Sequence, residues 1–132
     1  ITRFLDDLAG SNLYPQESMY DILTLEALAD GIMESAVSIT YETKLRPENE
    51  QSPSWMEAQW SKVLHAVKAL ENGEFKSMEG NLNMGQIAVA CALGYLDFRH
   101  DARQWRNGHS NLASWNEKIM ELPALIKTIP TD

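Results

Sequence analysis

LNMGQIAVACALGYLDFR, residues 82–99, decides the fold. Ile87, Ala88, Val89, Ala90, Cys91, Ala92, Leu93, Tyr95, Leu96 and Phe98 leave no polar face, which predicts a helix over roughly 84–98 at the centre of a bundle. Its start is marked twice over. Asn83 is placed to cap the backbone with Gln86 reaching back to it, and Leu82 with Ile87 occupies the flanking hydrophobic-staple positions. Breaking this cap is expected to cost about 1 kcal/mol or more. Cys91, in the middle of the run, reads as a small buried hydrophobe.

Working outward, the same period governs the rest of the chain. Towards the N-terminus, Met19, Ile22, Leu25, Ala29, Ile32, Met33, Ala36 and Val37 form one broad stripe. They predict a long helix over roughly 16–45 that must stop before Pro47, because proline disfavours helix at Arg46. The polar loop PENEQSP, with two prolines, separates it from a second helix. Met56, Trp60, Val63, Leu64, Val67 and Leu70 fall on one face of that helix, and Gly73 lies just past its end. At the start of the chain, Ile1, Phe4, Leu5 and Leu8 repeat at helical spacing until Gly10-Ser11-Asn12 breaks the pattern. Beyond Gly108, Leu112, Trp115, Ile119 and Leu122 share a face that Pro123 interrupts, leaving room for one more turn in the tail. With no sustained two-residue alternation, the expected architecture is an all-α bundle of about five helices.

Composition narrows the classes of function. A chain of 132 residues, 44% hydrophobic, buries one good core. A formal charge of -8 argues against a nucleic-acid surface, which requires clustered Lys and Arg. The apolar run Ile87 to Tyr95 is well short of the roughly 20 residues that span a bilayer. One cysteine forms no internal disulfide, and a reducing, cytoplasmic setting is expected. The first residue is Ile and the chain opens inside an apolar pattern, as a piece of a longer protein does.

Chemistry is sparse. His65, His100 and His109 are scattered and make no recognised ligand spacing with Cys or a carboxylate, so no metal is expected. Cys91 lies far in sequence from any basic group that would lower its pKa, and no catalytic nucleophile is assigned. Gly73, Gly80, Gly85 and Gly94 match no phosphate-cradling pattern; they read as helix ends or points of close packing. Trp55, Trp60, Trp105 and Trp115, at helical spacing, read as core or interface anchors before ligand-pocket walls. Residue patterns alone reach a helical bundle and stop there.

Four strings spread over almost the whole chain, ITRFLDDLAG, LEALADGIME, LNMGQIAVACALGYLDFR and LASW, together resemble the C-terminal domain of bacterial glutathione S-transferases. The resemblance implies that residues 1–10 are the tail of the last helix of a thioredoxin-like domain and that 11–132 are the helical domain. The cis-proline loop, the serine turn that holds glutathione, and the catalytic Ser, Tyr or Cys would then precede Ile1, and no catalytic residue falls in this chain. Asn83 and Gln86 stand where the family's N-capping box usually has Ser or Thr and Asp, keeping the capping geometry while giving up a charge on the helix dipole.

ALADGIME resembles the first half of the helix that forms the family's dimer interface. Glu34, four places after Asp30, stands where an acidic residue in some classes approaches the ammonium group of glutathione bound by the partner subunit. Against this stands the ordinary solvated helix-face charge. Ser38 and Tyr41, one and two turns on, share that face and are expected to look toward the electrophile cleft, and Tyr95 resembles a position whose aromatic side chain lines it. The implied parent is a cytoplasmic homodimer that conjugates glutathione, its co-substrate, to small hydrophobic electrophiles, with no other cofactor. The alternatives are a non-catalytic assembly or scaffolding module of the same superfamily, and a glutathione-dependent isomerase or reductase.

Overall fold

The computed structural model describes residues 1–131. Among them every regular element is helical: α1 (Thr2–Ala9), α2 (Met19–Leu45), α3 (Pro53–Glu71), α4 (Met84–His100), α5 (Ser110–Ile119) and α6 (Pro123–Lys127), with short 3₁₀ turns in four of the connections. α2 stops where proline makes it stop, with Arg46 extended ahead of Pro47. α3 begins with Pro53 at its first position, where the missing N–H is no loss. α1 ends at Gly10, whose φ of 63° is the left-handed conformation a helix terminator adopts.

α2 is the spine. It packs along α4 on one side and α3 on the other, and α5 closes against α3 and α4. The core joins Leu25, Ile32 and Ile39 of α2 to Trp60, Val63 and Val67 of α3 and Val89, Leu93 and Leu96 of α4, with Trp105 and Leu112 sealing one end. The approach of α4 to α2 depends on Gly85. A Cβ there would lie 2.9 Å from Leu25 Cδ2 and 3.1 Å from the Ile22 carbonyl, tighter than real contacts allow.

Polar side chains tie the elements at their ends. The Asn83 side chain accepts from Gln86 N at 3.1 Å, so the expected cap on α4 is present. Gln86 does not reach back to the cap residue. Its Nε2 donates instead to the Ser77 and Glu79 carbonyls, in and just after the 3₁₀ turn Lys76–Met78 that the fold brings beside it. α5 has no side-chain cap of its own, and Glu71 at the end of α3 supplies one by accepting from Asn111 N and Leu112 N at 3.2 and 2.7 Å. Asp97 accepts from Trp105 Nε1 at 2.7 Å and receives both guanidinium nitrogens of Arg106, fixing the α4–α5 connection.

α1 is the helix its spacing predicts, ended at Gly10, but its apolar residues are not packed. Its periodic residues Ile1, Phe4, Leu5 and Leu8 are all exposed, Phe4 at 67% and Leu8 at 72%, and the buried residue is Asp6. Asp6 accepts from Ser11 Oγ and Leu13 N, which hold its carboxyl below the usual carboxylate range. α1 is attached by polar contacts: Tyr14 donates its hydroxyl to the Glu26 carboxylate at 2.8–2.9 Å and lies 2.8 Å from Thr2 Oγ1. The periodicity is helical, but nothing among the described residues covers that face. Leu64 of α3 and Leu82 ahead of α4, both expected to pack, are likewise exposed.

Candidate functional site

α4 is apolar all round but not covered all round. Cys91, expected to be buried, is exposed, and Gly94 on the same side has open space where a side chain would stand rather than the close packing expected of it. The reason is geometric. α2 runs along α4, α5 packs on it, and Leu125 of α6 meets Ala90, but Cys91 and Gly94 face a side that none of these fills. The gap is a cavity of about 220 Å³ walled by Met33 of α2, Cys91, Gly94 and Tyr95 of α4, Met120 after α5, and the segment from Leu125 to Pro130. Partial desolvation by these neighbours pushes the Cys91 thiol pKa up.

Two larger concavities lie at the other end of the bundle. One of about 490 Å³ is bordered by Glu17, Asp21, Lys76, Glu79 and Asn83, and its neighbour of about 380 Å³ shares Asp21 and Lys76. In both, carboxylates outnumber the one lysine they share, which does not suit an anion. Among the described residues no three His, Cys, Asp or Glu side chains gather as metal ligands.

Of the residues singled out from the sequence, the structure brings Tyr95 to the apolar cavity. Glu34 and Tyr41 are exposed and Ser38 is half-buried on the outer side of α2, and none of the three lines any of these concavities. Glu34's neighbour Met33 does line the apolar one, because one residue along a helix turns the side chain by about 100°. Asn83 and Gln86 are buried at the helix start, away from the cavity.

The Tyr95 hydroxyl is occupied. It donates to Thr40 Oγ1 at 3.1 Å, and Thr40 passes its own proton to the Ala36 carbonyl at 3.1 Å. His100 Nε2 lies 2.9 Å from that carbonyl and 3.1 Å from Thr40 Oγ1. A carbonyl only accepts, so Nε2 carries the ring proton. Burial, reinforced by Arg103, lowers the His100 pKa, and the ring is neutral at pH 7. The sequence offers no signal for Thr40, and His100 stands out there only as a candidate metal ligand. They stand 60 positions apart, and no spacing rule joins them.

Comparison with known proteins now bears on this arrangement. The family model of the glutathione S-transferase C-terminal domain matches residues 53–117, which take in α3, α4 and most of α5. The chain has the fold of a glutathione S-transferase C-terminal domain. An uncharacterised glutathione-transferase-like protein, YibF of Escherichia coli K12, is 32% identical over 120 residues, covering 88% of this chain and 57% of that protein. A glutathione transferase family member from Pseudomonas fluorescens Pf-5, solved with bound glutathione, superposes with a TM-score of 0.93 at 37% identity over 98% of this chain and 65% of its own. A glutathione S-transferase from Methylobacillus flagellatus, also with glutathione bound, superposes at 0.84 with 29% identity over 92% of this chain and 62% of its own. This transferase-type domain therefore spans roughly three fifths of the relatives it matches.

Proposed function

We propose that the protein carrying this domain is a glutathione transferase that joins the glutathione thiolate to small apolar electrophiles, and that the domain supplies the wall against which the electrophile rests. The observation that carries this reading is the apolar cavity between α2, α4 and the tail, in a domain whose relatives at 37 and 29% identity hold glutathione. The reaction needs a group that lowers the thiol pKa, and we place that group in the part of the relatives' length that this chain does not span. Residues 1–10 are then the tail of a thioredoxin-like domain, and the bare apolar side of α1 is where that domain sits.

In the same reading the enzyme is a cytoplasmic homodimer with α2 at the interface. Glu34, exposed on α2, reaches the ammonium group of glutathione bound by the partner, and Ser38 and Tyr41 extend the same face. Isothermal titration of glutathione into the full-length protein and its Glu34→Ala variant tests this. Binding that weakens in the variant supports the contact; binding unaffected by it removes Glu34 from the site. No heat at millimolar glutathione would overturn the transferase reading in favour of an assembly module.

A further inference from the structure

The apolar cavity has two hydroxyl-bearing side chains in its wall, Tyr95 and Thr128. Both have their protons committed elsewhere. Tyr95 donates to Thr40, which is buried and does not line the cavity. Thr128 donates to the carbonyls of its own helix, Ala124 at 3.0 Å and Leu125 at 3.3 Å. The remaining polar atoms among the lining side chains are the sulfurs of Met33, Cys91 and Met120, which are soft and polarisable and at best weak hydrogen-bonding groups.

We propose that Thr40 and His100 are positioning residues that set the ligand class of this cavity by holding the Tyr95 hydroxyl out of it. The wall then offers an aromatic face, aliphatic carbon and sulfur, and selects ligands that need no donor. His100 acts through Thr40. Its ring and the Thr40 hydroxyl both deliver protons to the Ala36 carbonyl, which leaves the Thr40 oxygen free to accept from Tyr95. Thr40 Oγ1 is the acceptor that the Tyr95 hydroxyl reaches, so removing that oxygen releases the phenol.

An apolar cavity of about 150 Å³ holds benzene, so about 220 Å³ takes one substituted ring or a branched alkyl group, the rest of a longer ligand reaching out through the open side. A carbonyl, nitro or hydroxyl group on that ring enters without a partner and weakens binding about tenfold or more. This inference rests on the transferase reading only in naming the occupant as the electrophile's apolar group. The selectivity itself belongs to this chain.

The test compares ethylbenzene with acetophenone, which have the same outline and differ by one carbonyl. Cys91 lies in the wall and is exposed, so its alkylation by iodoacetamide in the full-length protein, followed by mass spectrometry of the Cys91 peptide, reports occupancy. Ethylbenzene should protect wild-type Cys91 at a concentration about tenfold or more below that needed with acetophenone. In Thr40→Val the gap should narrow to about threefold or less as the freed phenol donates to the carbonyl. Thr40→Ser should restore it, as should adding Tyr95→Phe to Thr40→Val, since the donor is then gone. The wild-type comparison decides the selectivity without any variant. Equal protection by the two ligands, or an unchanged gap in folded Thr40→Val, overturns the proposal. If neither ligand protects Cys91 although glutathione binds, the cavity assignment falls while the glutathione reading stands. If ethylbenzene protects and glutathione gives no heat, the cavity stands and the transferase reading falls.

Discussion

Asn83 makes both halves of its contact count: its oxygen accepts from Gln86 N and its nitrogen donates to the Ser77 carbonyl at 2.8 Å. Asn83→Ala removes the cap and one of the two donors to the Ser77 carbonyl, and urea denaturation should show a loss of about 1–2 kcal/mol. The cap was readable because it is local; the partner of the Gln86 amide was not, because the turn at Lys76–Met78 is brought to it only by the fold. Cys91 and Gly94 escaped for a related reason. An all-apolar helix shows in the sequence, whereas the side its neighbours leave uncovered depends on where Leu125 and the tail come to rest against α4. His100 gives the residue scale its pH dependence. With a folded-state pKa below the ordinary 6.5, the unfolded chain binds the proton first, so stability is full above that value and falls as the pH drops from 6.5 towards the folded pKa. Between pH 7.5 and pH 5, wild type should lose more stability to urea than His100→Gln does.

At the scale of elements, the helices were legible and their fastenings were not. α2, α3, α4 and α5 announce themselves by period, proline and glycine, because each buries a stripe that repeats every turn. Glu71 capping α5 across a gap of 40 residues leaves no trace in the spacing of either helix. The same holds for Asp97, which reads as an interruption in an apolar helix and proves to be the acceptor for a nearly buried tryptophan N–H and an arginine fork. Asp97→Ala leaves Trp105 Nε1 without a partner and should destabilise the domain by about 2–3 kcal/mol, read from the urea midpoint. Asp97→Asn keeps one acceptor for the indole and should lose less.

For the whole molecule, the all-α architecture followed from patterning, but which apolar faces end up inside did not. α1 carries the period of a packed helix and leaves it bare, held on by Tyr14, Glu26 and Thr2. Period reports what a face is built for; only the assembled surroundings report whether it is covered. The double variant Phe4→Glu/Leu8→Glu touches no core contact, so its melting temperature in the 132-residue chain should match wild type, with a stability change within about 0.5 kcal/mol. The added charge should also lower its light scattering at high concentration. In the full-length protein the same pair should weaken attachment of the remaining domain, measured as faster proteolysis between the two.

The crossing of α2 and α4 at Gly85 makes two positions answer to each other. Gly85→Ala alone drives a methyl group into Leu25 and should cost about 1–3 kcal/mol, and Leu25→Ala alone leaves a hole at a fully buried site. Together the contact with Leu25 Cδ2 is relieved while those with the residue 25 Cβ and the Ile22 carbonyl remain, and a double-mutant cycle on thermal unfolding should show a combined loss somewhat smaller than the sum. The helix crossing is then a point of epistasis. Each change is harmful in the background that lacks the other, so a drifting lineage exchanges this pair only by passing through a less stable ancestor.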